Sequence, residues 1–308
     1  MSAEIVVVGV ASCYTTIRVD AFPLQYEPTS PADWADVSVS GAGVHIAKVQ
    51  RRLGRDVRLC SVVGRDVAGA VIRSELDREG LLGAGVLASE ASSSGVVLID
   101  REGRRMGLPH LAPVNSFPYP FDVLRKQADG ARLLVMTNAR FVRPLVEPAM
   151  ALDIPIAVDV HLINGLDSEY DRPWLEQAKI VFCSHERLPD PRAWMAGVFA
   201  RYGCEIVGIG LGAGGAMLGL PDGTLIRVAA APPPHLINTS GAGDALFATF
   251  LAEWLRGADP AAALQSGVLH AGWKIGHRLP SAVALSAGQL AELRQTRPPA
   301  TRVGRWDR

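Results

Sequence analysis

The sequence lacks the features that announce a nucleic-acid ligand, a membrane or a disulfide framework. Its 31 basic and 31 acidic side chains cancel to a formal net charge of zero. No global field therefore draws it to polyanions or to an acidic lipid surface. No run approaches the ~20 apolar residues of a membrane helix. The apolar run 5–11 follows a glutamate, is too short for a secretory segment and is rich in Val and Ile, as a buried strand is. Cysteine is scarce: Cys13, Cys60, Cys183 and Cys204 lie far apart with no CxxC pair. That excludes a zinc knuckle and a disulfide scaffold and fits a reducing, cytoplasmic compartment. No Walker A lysine motif is present, so a P-loop is excluded. The tryptophans form no array with basic residues, which argues against base stacking and nucleic-acid binding.

What is present is alternation. Strand-like runs at 5–10, 57–63, 133–136, 156–160, 180–183 and 206–209 are separated by helical spacing, as at 44–53 and 68–79. This rhythm predicts an α/β fold: a mostly parallel central sheet with helices on both faces, in a single domain spanning 1–308. Two stretches break it. Residues 12–40 are proline-rich and partly extended, and 89–110 read as a hairpin around Arg101-Glu102-Gly103-Arg104. Together they predict a small β lid over one sheet edge. The Arg- and Pro-rich segment 295–308 is expected to be a flexible tail.

The chemistry concentrates in Asn238-Thr239-Ser240-Gly241-Ala242-Gly243-Asp244. Small residues let the backbone turn tightly there. The apolar run after Asp244 predicts a buried helix, so the turn lies at a helix N-terminus, where free N–H groups and the dipole attract anions. Asp244 falls in the first turn, where aspartate also serves as an ordinary cap. As a base beside an anion cradle, it has what phosphoryl transfer to an alcohol requires. Upstream, Gly210, Gly212 and Gly215 spell GxGxxG after the strand at 206–209. A dinucleotide fold needs a helix next; residues 217–228 read instead as a β-hairpin, against a Rossmann unit.

The 238–244 segment resembles the C-terminal signature D-T-x-G-A-G-D of the ribokinase-like (PfkB) carbohydrate kinases, with Asn238 in place of the first aspartate. The resemblance covers essentially the whole chain and implies a ribokinase-like fold using ATP and Mg²⁺. It makes Asp244 the base and the amides of Gly241, Ala242 and Gly243 the anion hole. It puts Asn238 and Thr239 beside the phosphates. Gly210, Gly212 and Gly215 correspond to the family's loop along the ATP, and Gly267 to the adenine pocket. Glu186, in Cys183-Ser184-His185-Glu186, stands for the N-x-x-E glutamate that organises Mg²⁺ through water; Cys183 replaces the asparagine.

On the acceptor side, Gly41, Gly43 and His45 resemble G-G-x-x-x-N, with histidine for asparagine. Ser12 and Tyr14 replace the asparagine and aspartate that read sugar hydroxyls, and Asn138 ends the strand at 133–136. Asp159-Val160-His161 resembles D-x-N, without the usual nearby arginine, and Asp66 matches a structural G-x-D-x-x-G. These replacements stack as well as hydrogen-bond, so an acceptor with a flat or apolar part is plausible. The expected reaction is transfer of the γ-phosphate to a hydroxymethyl group of a sugar or sugar-like molecule. A nucleoside kinase of the same fold and a catalytically weak sugar or nucleotide sensor stay open as alternatives. The resemblance also implies a homodimer paired through its lids. His110, His235, His270 and His277 show no metal-ligand spacing and read as structural.

Overall fold

A computed structural model describes residues 4–306. The chain opens with β1 (Ile5–Val8), β2 (Ser12–Arg18), β3 (Ala35–Ser40), α1 (Ala42–Arg52), β4 (Val57–Gly64), α2 (Val67–Arg78) and β5 (Val86–Ser89). It continues through β6 (Ser93–Ile99), β7 (Arg105–His110), α3 (Ala112–Asn115), α4 (Phe121–Ala128), β8 (Leu133–Met136), α5 (Arg143–Ala149) and β9 (Ile156–Leu162). Then come α6 (Arg172–Gln177), β10 (Ile180–Ser184), α7 (Pro191–Arg201), β11 (Ile206–Gly210), β12 (Ala216–Gly219) and β13 (Thr224–Val228). The last elements are α8 (Ala242–Leu255), α9 (Pro260–Lys274), α10 (Ala287–Thr296) and β14 (Thr301–Arg305).

The main sheet runs β14-β13-β12-β11-β10-β9-β8-β1-β4-β5 and is parallel from β11 to β5. Strand β1 shows why it is central. Its residues Ile5–Val8 are all fully buried, and Val7 pairs with Leu59 on one side and Val135 on the other. Alternation along the strand splits them between two cores: Ile5 and Val7 pack with α1, α8 and α9, while Val6 and Val8 pack with α4 and α5. Fully burying a valine or isoleucine is worth about 1.5–3 kcal/mol, so this strand alone anchors both layers.

The second sheet, ordered β3-β2-β6-β7, is built from the two segments that break the α/β rhythm. It is much less buried: every residue of β7 is exposed. One expectation fails. The segment expected to fray is not loose: α10 runs to Thr296, and Thr301–Arg305 pairs antiparallel with β13 along the sheet edge. Trp306 secures it, its indole N–H donating to the Leu220 carbonyl at 2.8 Å and its ring stacking on Phe199; residues 307 and 308 lie outside the described residues. Strand β5 is an unpredicted addition beside β4, only half-buried and too short to show a period. Among the described residues, no helix is long and apolar enough to cross a membrane.

Candidate active site

The C-terminal ends of the parallel strands and the start of α8 converge on one region, where open α/β sheets place their ligands. Gly241 caps α8 with φ of 70°, a left-handed conformation glycine adopts without strain, and no side chain caps the helix. The Ala242 amide reaches back to the Thr239 carbonyl at 3.3 Å. The amides of Gly241, Gly243 and Asp244 have no protein acceptor among the described residues. The sequence reading named the amides of 241–243; the geometry leaves Ala242 engaged and adds that of Asp244.

Asn238 turns into the fold. It is buried, its amide donates to the Arg278 carbonyl at 3.1 Å, and its Oδ1 accepts from the Ser240 amide at 2.9 Å. It locks the turn, a task for which a neutral amide with both donor and acceptor is better suited than a carboxylate. Thr239 is half-buried beside it.

Asp244 is half-buried, and its Oδ1 is sealed from solvent without a hydrogen-bond donor. A polar atom left so costs free energy until a donor arrives. Asp159 and His161, from the end of β9, stand beside it: one ligand-type atom from each of the three residues lies within 4.8 Å of the others. His161 has φ of 54°, its amide donates to Asp159 Oδ1 at 2.8 Å, and its Nδ1 lies 3.5 Å from Asp159 Oδ2. Burial opposes protonation of His161, but Asp159, Asp244 and Asp171 together hold its pKa above the ordinary value. The two carboxylates are hard oxygen donors that fit a divalent cation. Glu186 stands on the turn after β10, exposed and outside that cluster.

The remaining acceptor-side candidates divide. His45 is buried, shares a 3.0 Å hydrogen bond with Ser40 Oγ and lies against Gly241, where an added Cβ would be 2.9 Å from its Cε1. Burial pushes its pKa down to about 4 against the pull of Asp244, so the ring is neutral at physiological pH. Tyr14 lies over Gly95 on the lid; burial raises its phenol pKa, with Arg105 pulling the other way. Asn138 reaches the site's edge but gives its amide to the Val160 carbonyl at 3.0 Å. Two expectations are corrected. Ser12 is fully buried and bonded to Ser93 Oγ at 2.6 Å, a lid-internal pair. Gly43 is buried because α1 presses on β1, leaving a Cβ only 2.6 Å from the Gly9 carbonyl carbon. Gly41, with φ of 100°, turns against Val10 in the same junction.

On the nucleotide side, Gly210, Gly212 and Gly215 follow β11, and the β12–β13 hairpin comes next instead of a helix. His185 Nδ1 lies 3.0 Å from the Gly210 carbonyl and fixes the loop to the end of β10. Gly215 has φ of 87° and packs against the end of β13, so its freedom serves the fold. Gly267 is no pocket wall: it is buried in α9, where a Cβ would lie 2.6 Å from the Leu246 carbonyl of α8. Asp66 caps α2, accepting from Gly69 N, Ser92 N and Ser92 Oγ.

The sequence reading missed Arg105. It opens β7, and its charge acts on Tyr14, His45 and His161. Nothing local marks it among the other arginines; only the lid's folding brings it here.

Residues 167–286 match the pfkB family of carbohydrate kinases. The chain is 25% identical over 277 residues to an acarbose 7(IV)-phosphotransferase of Actinoplanes sp., covering 86% of this chain and 90% of that protein. Its fold superposes on the microbiome-derived acarbose kinase Mak1 with a TM-score of 0.83 at 23% identity, covering 95% and 99% of the two chains. It superposes on Arabidopsis thaliana ribokinase, solved with ribose and ATP, with a TM-score of 0.77 at 18% identity, covering 95% and 99%. The chain thus has a ribokinase-like fold, and a segment of it matches the pfkB family of carbohydrate kinases.

Proposed function

We propose that this protein is an ATP-dependent phosphotransferase that moves the γ-phosphate to a hydroxymethyl group of a sugar or sugar-like molecule. The observation that carries the reading is Asp244, whose buried Oδ1 lacks a donor beside the free amides at the start of α8. The acceptor hydroxyl supplies the missing donor. As its oxygen attacks the γ-phosphorus, the proton passes to Asp244 and the bond to the ADP oxygen breaks. The amides of Gly241, Gly243 and Asp244 take up the charge of the migrating group. Bound Mg²⁺ supplies further neutralisation of the phosphates; Asp159 would hold it, with Glu186 acting through water. Closure of the lid, with Arg105 on β7, keeps water from competing for the base.

Half-buried Tyr14 and His161 favour an acceptor that offers a stacking surface as well as hydroxyls. Acarbose belongs in the panel because two relatives are named for it. The reading extends to a cytoplasmic homodimer: Cys60, Cys183 and Cys204 are buried free thiols, and the lid exposes Val37, Met106 and Leu108 for pairing.

The test is ATP consumption against ribose, fructose, acarbose, inosine and adenosine. Turnover with a sugar-like acceptor is expected, and Asp244→Asn should lower it at least about a hundredfold while ATP still binds. Near-normal turnover in a folded Asp244→Asn enzyme refutes the base. Turnover with nucleosides alone moves the reading to a nucleoside kinase. A ligand that raises Tm without turnover moves it to a sensor.

A further inference from the structure

The last turn of α9 is stitched to the turn that opens α8. The Ile237 and Asn238 amides both donate to the Ile275 carbonyl, at 3.0 and 3.1 Å, and Asn238 also reaches Arg278. A phosphate drawn to the positive start of α8 therefore also meets the negative end of α9. Lys274, in that last turn, is only 1% exposed, and its Nζ donates to the Val283 carbonyl at 2.9 Å. No carboxylate among the described residues lies within ion-pair distance of it. An ammonium buried without a counter-ion is destabilising, so a fold that keeps one has a use for the charge.

The groups facing Lys274 make that charge stand out. From α1, Lys48 is already neutralised by Glu75 at 2.5 Å and Glu79 at 3.9 Å. His45 of α1 and His270 of α9 are both buried and neutral at physiological pH, with pKa values pushed down to about 4 and about 3. From α8, Asp244 attracts the ammonium. Resting on the phosphotransferase reading above, we infer that Lys274 is a positioning residue: its ammonium offsets the α9 terminus and holds Asp244 and the incoming phosphoryl group in register. It touches neither substrate, and acts through the turn and the carboxylate.

Burial lowers the Lys274 pKa from 10.5 to about 8, with Asp244 pulling upward and Lys48 downward. The ammonium is thus lost as pH rises past about 8, and wild-type kcat should fall along that limb. Lys274→Arg keeps a charge at all working pH and should abolish the limb. Lys274→Met, of similar length and apolar, should fold, lose at least about tenfold in kcat at neutral pH and show no limb. An independent readout is calorimetric binding of inorganic tripolyphosphate, compared between variant and wild type at each pH. Weaker binding to Lys274→Met at neutral pH, with the difference vanishing at alkaline pH, supports the inference. Unchanged kcat and limb in Lys274→Met overturn it, as does a limb preserved in Lys274→Arg should Lys274→Met fail to fold. Lys274-dependent tripolyphosphate binding without turnover for any acceptor would fail the kinase reading alone. Turnover indifferent to Lys274 would fail this inference alone.

Discussion

The same four residues open two helices. Ser40-Gly41-Ala42-Gly43 begins α1 and Ser240-Gly241-Ala242-Gly243 begins α8. Both caps are glycines with positive φ, 100° and 70°, and neither has a side-chain cap. Their surroundings differ. At α1 the second glycine is buried against the Gly9 backbone, and the helix start is spent on packing. At α8 the second glycine is exposed, and the nearest atom to its missing Cβ is Asp159 Oδ2 at 3.9 Å. A glycine-rich helix start is therefore a site only where the space in front of it is left open. Sequence shows the backbone permission; tertiary structure decides its use.

The two starts meet at His45, and the largest expected effect tests that junction. His45 has a folded pKa of about 4 against an ordinary 6.5. The unfolded chain therefore binds more protons between these values. Stability is full above about 6.5 and is lost as pH falls through the window, by about 3 kcal/mol for a ring this buried. His45→Asn removes the titration but keeps a hydrogen-bonding side chain for Ser40. Urea midpoints at about pH 7 and about pH 4.5 should then differ less in the variant than in wild type. An equal acid loss in both would mean that His45 is not held neutral by the junction. His270, pushed down to about 3 between Thr249 and Leu285, keeps a residual acid sensitivity in either case.

What could be read from the chain follows the range of the forces involved. Strand β1 was legible because Val and Ile in a buried parallel strand leave a dense apolar run. The α8 turn was legible because small residues before an apolar helix restrict what the backbone can do. The edge strand β14 was not: Thr301-Arg302-Val303-Gly304-Arg305 is mostly exposed and gains order only from pairing with β13. Gly43 and Gly267 were read as ligand-facing because a glycine does not say whether a ligand or a neighbouring backbone claims its missing Cβ. Ser12, Arg105 and Lys274 acquire their roles from partners distant in sequence: Ser93, the lid's position over the site, and the end of α9 beneath the α8 turn.

A smaller effect separates the glycines themselves. Gly43→Ala places a methyl 2.6 Å from the Gly9 carbonyl carbon and 2.8 Å from its Cα. Both obstacles are backbone, so α1 must move away from β1, at a cost of about 1–3 kcal/mol. Calorimetry should show a clear drop in Tm. An unchanged Tm would mean that the α1 start is looser than its contacts imply, and that Gly43 is free to serve a ligand after all.

The smallest effect on stability is the one that decides between the two helix starts. Gly243→Ala meets nothing closer than Asp159 Oδ2 at 3.9 Å, an ordinary contact, and Gly243 lies in the first turn of a helix. Alanine is favoured over glycine in a helix by about 1 kcal/mol at most, so stability should hold or rise slightly. Turnover should not hold. The new methyl stands between Asp159 and the free amides, where a displacement of a fraction of an ångström at the reacting centre costs about ten- to a hundredfold in rate. Loss of kcat with an intact Tm is the signature of an open site. If Gly243→Ala instead loses stability as Gly43→Ala does and keeps its turnover, the α8 start is a packing junction like the α1 start. The transfer chemistry would then have to be sought elsewhere along the strand ends.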